Sequence, residues 1–239
     1  MFQVITEPDF EKLLFFAEKH EGYFTAKEAA LAGYSPQNQF YHVKAGHWKR
    51  LSRGIFRLKH FRSLHREHPD FIVGHLWTQN AEGKTEGVIS HSSALLAWEM
   101  SSLLRYSKIH MTVPKDFRRR SECLYKVELH YGDIDKNDVE EAFGYRLTKP
   151  FKTVLDLLID PKPAIESKHI QEAIEYMMLA GRLPSMHDIA ARRFTDHELD
   201  RLLWLLGLVN RNKTNKFTLQ NLITVLEKKK RPNEIQQSK

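Results

Sequence analysis

Apolar residues recur at helical spacing near the start of the chain: Phe10, Leu13, Leu14 and Ala17 stand at i, i+3, i+4 and i+7, behind a capping pair of Thr6 and Asp9. A first helix is predicted there. Thr25 and Glu28 form a second capping pair ahead of Ala26, Ala29 and Ala30, small residues that let another helix cross closely, and Gly33 marks the stop. Ser35 then caps a third helix with Pro36 at its first position, running to Gly46, so only a Gly33-Tyr34 turn separates the second helix from the third. Trp48 to Leu51 and Ile55 to Leu58 are β-rich runs around Ser52-Arg53-Gly54, a three-residue loop whose glycine suits a left-handed turn. Three helices followed by a hairpin make a winged helix-turn-helix.

Beyond it the apolar patch Phe71, Ile72, Val73, Leu76 and Trp77 predicts a connecting helix, with a loop from Asn80 to Gly87. Short β-type runs follow at Gly87 to Ser90, Lys108 to Val113 and Leu124 to Tyr131, with a helical pattern from Ser92 to Leu104. From Lys136 onward the signals are mostly helical: a Thr148 cap with Pro150, apolar Val154, Leu155, Leu157 and Leu158, then Ile170 to Leu179, Leu199 to Val209 and Leu219 to Leu226. A frayed polar tail is expected from Glu227. The fold class is α+β: a winged helix-turn-helix at 1–66, a connecting helix and loop at 67–85, a mixed α+β domain at 86–160 and a helical region at 161–239.

The sequence of 239 residues carries 37 Lys and Arg against 30 Asp and Glu, a formal +7 that favours a polyanionic partner. Position matters more than total. Residues 1–66 hold 11 basic and 6 acidic side chains, 67–160 hold 12 and 15, and 161–239 hold 14 and 9, so the ends are basic and the middle is acidic. Between 44 and 66 stand eight Lys or Arg (Lys44, Lys49, Arg50, Arg53, Arg57, Lys59, Arg62, Arg66) and no acid, a density suited to phosphate. Lys44, Lys49, Arg50, Arg53 and Arg57 are therefore the candidate phosphate contacts. On the third helix, Phe40 and Val43 are taken as the inward side, which turns Asn38, Tyr41, His42 and Ala45 outward and leaves Gln37 and Lys44 on the flanks. Gln37, Asn38, Tyr41 and His42 become the candidate base readers, since an Asn or Gln amide pairs with the donor and acceptor edge of adenine. The same surface could serve protein contact, but the all-basic wing opposes that use.

Cys123 is the single cysteine, which excludes an intramolecular disulfide and multi-thiolate metal sites and fits a reducing cytoplasm. The longest apolar run, Leu202 to Val209, falls short of the roughly 18 to 20 residues of a spanning helix, and residues 1–7 lack a basic region ahead of an apolar one, so neither membrane anchoring nor export is expected. Among the 13 histidines, His65 and His68 share a helical face but lack a third clustered ligand, and no metal or cofactor is expected. His91 among serines lacks a nucleophile elbow and reads as a capping and packing residue, and Cys123 near Arg118, Arg119 and Arg120 has no base beside it. Asp70 followed by Glu82-Gly83-Lys84 imitates a metal-dependent nuclease order, yet the pair falls in expected loop rather than on an apolar strand.

Six short motifs occur in one order: Gly22-Tyr23-Phe24-Thr25; Gly33-x-Ser35; Leu51-Ser52-Arg53-Gly54-Ile55-Phe56-Arg57; Ser90-His91-Ser92-Ser93-Ala94-Leu95; His110-Met111-Thr112-Val113-Pro114; and Leu147-Thr148-Lys149-Pro150-Phe151-Lys152-Thr153-Val154-Leu155-Asp156. Together they resemble AbiEi-family antitoxins over residues 20–160. The resemblance implies a DNA-binding winged helix joined to an antitoxin domain, autoregulatory, and cognate to a nucleotidyltransferase-like toxin in bacterial phage defence. Trp98-Glu99-Met100 departs from the family's His-Gly-Leu-like turn, and the helical region after Glu166 matches no part of it. The expected function is thus a non-enzymatic, cytoplasmic antitoxin and repressor that binds double-stranded operator DNA, two copies meeting an inverted repeat. A one-component regulator with a ligand-binding middle domain is the alternative, and a metal-dependent nuclease the third.

Overall fold

The computed structural model describes residues 7–63, 68–102, 107–119, 121–159, 166–211 and 216–236. Contacts divide the chain into two units, one of residues 1–93 with 106–148, the other of residues 94–105 with 149–239. In the first unit α1 (Phe10–Glu18), α2 (Ala26–Leu31) and α3 (Pro36–Lys44) precede β2 (Trp48–Ser52) and β3 (Ile55–Leu58). Asp9 caps α1, its carboxylate accepting the Lys12 N–H at 3.0 Å, while Thr6 lies outside the described residues. The Thr25–Glu28 capping box forms as expected, with Glu28 Oε2 accepting the Thr25 N–H at 2.7 Å and Thr25 Oγ1 accepting the Glu28 N–H at 3.2 Å.

Leu13, Ala17, Phe24, Ala29, Ala32, Tyr34, Trp48, Phe56 and Leu58 form the core of this winged helix. Each large side chain buried there contributes roughly 1.5 to 3 kcal/mol. Phe10, expected in the stripe, is 55% exposed. The wing turns at Arg53-Gly54, where Gly54 has φ +75° and its carbonyl accepts the Ala26 N–H at 2.8 Å, tying the turn to the start of α2. A strand that the sequence pattern did not announce, β1 (Tyr23–Thr25), pairs antiparallel with β3, so the wing is the outer part of a three-stranded sheet ordered β1-β3-β2. Three residues are too few to show an alternating pattern.

The same unit contains a five-stranded sheet of β4 (Val88–Ile89), β5 (Ile109–Val113), β6 (Val127–Tyr131), β7 (Val139–Ala142) and β8 (Tyr145–Thr148), ordered β6-β5-β4-β8-β7. The β5–β6 and β4–β8 pairs are parallel, and β4–β5 and β7–β8 antiparallel. Here the helical reading after Lys136 is corrected: residues 139–148 form a hairpin. Phe143 and Gly144 both take positive φ, 56° and 85°, in its two-residue turn, the geometry of a type I′ connection. The Val139-Glu140-Glu141-Ala142 arm is a charged edge strand, and such strands carry little apolar signal. α4 (Pro69–Trp77) is buried on nearly all sides, from Phe71 to Leu76, because it packs against β1 and β3 of the winged helix and against β4, β5 and β8.

The second unit is helical. α6 (Pro150–Ile159) buries Val154, Leu155, Leu157 and Leu158, and α7 (Ser167–Leu179) buries Ile170, Ala173, Ile174 and Met177. α9 (Asp196–Arg211) adds Leu199, Leu202, Leu205, Leu206 and Val209, and α10 (Lys216–Gln236) adds Leu222, Ile223 and Leu226. α8 (Met186–Ala191), unannounced because it spans under two turns, is held by a Ser185–Asp188 capping box. The tail expected to fray from Glu227 instead continues as helix, with Lys229 Nζ donating to the Arg192 carbonyl at 2.9 Å and Lys230 Nζ 2.6 Å from Asp200. Among the described residues no helix is long and apolar enough to cross a membrane. α5 (His91–Ala97) runs from the first unit into the second. The chain is therefore an α+β protein with an N-terminal winged helix-turn-helix.

Candidate nucleic-acid interface

α3 is set by local chemistry. Ser35 Oγ accepts the Asn38 N–H at 3.2 Å, Pro36 supplies a fixed φ at the first position, and Gly46 beyond the last turn has φ +76°. The buried residue of this helix is Gln39, 7% exposed, whose Nε2 donates to the carbonyls of Ala26 at 3.1 Å and Tyr34 at 3.0 Å. Val43 is half-buried beside it. Phe40, read from the sequence as inward, is 69% exposed. The inward seat goes to a polar side chain because two carbonyls at the helix-turn-helix junction need a donor there.

With Gln39 inward, the exposed stripe of α3 is Gln37, Phe40, Tyr41 and Lys44, at i, i+3, i+4 and i+7. Of the candidate base readers, Gln37 and Tyr41 stand on this stripe and Asn38 lies half-exposed at its margin. His42 turns the other way. Its ring stacks on Trp48 with centroids 4.9 Å apart and planes 16° apart, Tyr34 meets it edge-on at 5.3 Å, and its Nδ1 lies 3.1 Å from His47 Nδ1. Burial, then the neighbouring His47, lowers the His42 pKa, which favours the neutral ring.

Lys49 and Arg50 are exposed on β2, and Arg53 is exposed at the tip of the wing. Arg57 on β3 is different: it is half-buried, with its guanidinium 5.3 Å over the Tyr23 ring and Nη2 3.4 Å from Ser63 Oγ. Lys59 and Arg62 extend the basic surface past β3, while Arg66 lies outside the described residues. No Asp or Glu occurs in the sequence from Lys44 to Ser63, so the ionised side chains that this stretch contributes are all cationic.

The other sequence candidates do not converge. Glu82 and Lys84 are exposed in a turn where Asn80 Oδ1 accepts both their N–H groups, at 3.1 and 3.0 Å, and Asp70 is in the first turn of α4, its carboxyl pKa raised by burial. Arg118 Nη1 donates to the Phe117 carbonyl at 2.7 Å and Arg119 Nη1 to the Gln79 carbonyl at 2.7 Å, while Arg120 lies outside the described residues. Burial raises the Cys123 thiol pKa. His68 is the residue before α4, and His65 lies outside the described residues.

His91 is buried with φ +52°, its Nδ1 2.9 Å from Ser90 Oγ and its ring 3.6 Å over His130, whose Nε2 lies 3.0 Å from His110 Nδ1. Spacing could not reveal this group, which assembles from the start of α5 and from two strands. Among the described residues no set of three or more His, Cys, Asp or Glu is placed to hold a metal ion. In the second unit Ser101, His169 and Glu172 meet, but Ser101 Oγ and Glu172 Oε2 both approach the same ring atom, Nδ1, at 2.7 and 3.3 Å. A nucleophile and its orienting acid must engage opposite ring nitrogens, so this is a tie between α7 and the turn that follows α5. At Trp98-Glu99-Met100 the chain turns with Glu99 at φ +53°, and the Met100 N–H donates to the Leu95 carbonyl at 3.1 Å.

Residues 11–59 match the model of the family described as transcriptional regulator, AbiEi antitoxin. That stretch runs from α1 to the end of the wing, so the N-terminal part of the chain is similar to regulators of this family, and the resemblance read from the motifs is carried there by the winged helix. No curated protein matches the chain. In fold the chain is similar to the crystal structure of the RV2827C protein from Mycobacterium tuberculosis, with a TM-score of 0.54 at 11% identity over 90% of this chain and 80% of that one. At that identity the likeness is one of fold alone.

Proposed function

We propose that this protein is a non-enzymatic antitoxin that represses its own promoter, binding double-stranded operator DNA through α3 and the wing and counteracting a nucleotidyltransferase-like toxin in phage defence. The observation that carries the reading is the exposed stripe of Gln37, Tyr41 and Lys44 on α3 with the exposed cations Arg50 and Arg53 on the wing, all within the stretch of residues 11–59 that is similar to AbiEi regulators. A helix of this kind fits the major groove, and cations on the wing meet phosphate. Two copies on an inverted repeat would supply the contacts that one small domain lacks. The protein acts in the cytoplasm. The decisive experiment pairs a reporter driven by the protein's own promoter with co-expression of the neighbouring gene's product. Repression and rescue from toxicity are expected together; loss of both removes the reading.

One observation favours a ligand-responsive regulator as the second reading. A cleft of about 830 Å³ in the first unit is lined by His20, Lys84, Phe143, Tyr145 and Arg146, with the fully buried His75 at its wall. A metabolite retained there on purification, and changing operator affinity when removed, would promote that reading.

A further inference from the structure

Phe40 occupies the middle of the exposed α3 stripe, three residues after Gln37 and four before Lys44, with 69% of its surface in water. A ring left exposed on a short helix forgoes the stabilisation that burial of such a side chain contributes, so its gain comes when something covers it. Its neighbours state what that is. Tyr41 is 61% exposed beside it, Lys44 stands one turn further on, and the wing that follows carries the exposed Arg50 and Arg53, with no Asp or Glu in the sequence between residues 44 and 63. The surroundings fit a polyanion, and the apolar group on the floor of a polyanionic major groove is the C5-methyl of thymine. Backbone amides and phosphates offer a phenyl ring nothing comparable.

We infer that Phe40 is a specificity-determining residue that reads thymine by covering its methyl group in the major groove. The inference rests on the DNA-binding reading above and adds to it a base identity and a residue that sequence periodicity had assigned to the core. Gln37 and Lys44 fix its register: an amide able to pair with a base edge lies one turn before the ring and a cation suited to phosphate one turn after it. A methyl covered by the ring contributes about fourfold in affinity, the value of one buried methylene-sized group.

The test uses the full-length protein and a duplex that it enriches from a random library, compared with the same duplex in which every thymine is replaced by uracil. Uracil pairs identically and lacks only the methyl. Fluorescence anisotropy should show the uracil duplex bound about fourfold more weakly for each methyl covered, and Phe40→Ala should weaken the thymine duplex by that factor while erasing the difference between the two. Phe40→Leu should keep part of the discrimination. Phe40 is exposed, so a native circular dichroism spectrum is expected from both variants. Equal affinity of the native protein for both duplexes, with Arg53→Glu weakening both, would leave the DNA interface standing and overturn the role of Phe40. A Phe40→Ala variant that loses the same factor on both duplexes, or that keeps its affinity but no longer self-associates in sedimentation, would also overturn it. If no duplex is enriched, the DNA-binding reading itself fails, and this inference with it.

Discussion

His20 Nδ1 donates to the carbonyl of Gly144 at 2.7 Å, joining the end of α1 to the turn of the β7–β8 hairpin across 124 positions of sequence. The approach is close because Gly144 has no side chain: a Cβ there would stand 3.0 Å from His20 Cα and 3.1 Å from its carbonyl carbon, and φ is already +85°. Gly144→Ala is therefore strained twice, by its backbone angle and by a contact that cannot yield. A loss of roughly 1 to 3 kcal/mol is expected. Thermal melting should show a midpoint several degrees lower, and an unchanged midpoint would mean that the winged helix does not depend on this contact.

His75 gives the fold a dependence on acid. Burial, and after it the nearby His20, lowers its pKa to about 3 from an ordinary value near 6.5, with the Gly87 carbonyl, 3.0 Å from Nδ1, opposing the shift. The unfolded chain thus binds a proton between about pH 6.5 and 3 that the folded chain refuses. Stability contributed by the neutral ring is full above pH 6.5 and is lost as pH falls through that window, at up to about 1.4 kcal/mol per pH unit. Urea midpoints measured from pH 7.5 to 4.5 should fall more steeply for the native protein than for His75→Gln; parallel curves would show that His75 titrates normally.

On DNA, Arg53→Glu should weaken binding to every sequence and reduce the log-log salt slope by about one, because it removes a phosphate contact. Asn38→Ala should cost roughly 1 to 3 kcal/mol on the preferred site and little on random duplex. Equal losses on both in a mobility-shift titration would take Asn38 out of the base-reading set.

His42→Ala should act through the fold. Its ring is stacked on Trp48, so the expected change is about 0.5 to 1.5 kcal/mol of stability, seen as an earlier melting midpoint. A variant that melts normally yet loses preference among duplexes would restore His42 as a base reader.

No cleavage of plasmid DNA is expected with magnesium or manganese, since Glu82 and Lys84 sit exposed in a turn and Asp70 lies in the first turn of α4. A metal-dependent activity that disappears in Glu82→Ala would overturn the non-enzymatic assignment.

What could be read from the sequence was whatever is decided locally. Ser35-Pro36, Thr25 with Glu28, and the glycine of the wing turn fix their own backbones within four residues, and they stand where the pattern placed them. The rest is decided at a distance. Gln39 displaces Phe40 from the inward face because Ala26 and Tyr34 offer carbonyls to it, and no spacing rule reports the needs of a carbonyl 13 residues away. The β7–β8 hairpin was hidden by Glu140 and Glu141, which suit an edge strand but interrupt any apolar count.

α4 has no outer face to give up: Gly74 brings its backbone within reach of Ile109 and Met111 on one side, and β1 of the winged helix lies on another. The winged helix is consequently not a detachable cassette. A lineage that shuffled this wing onto a new partner, or an engineer grafting it onto a reporter scaffold, would inherit α4 as an obligatory passenger, and the sheet would have to supply a replacement before it could be left behind.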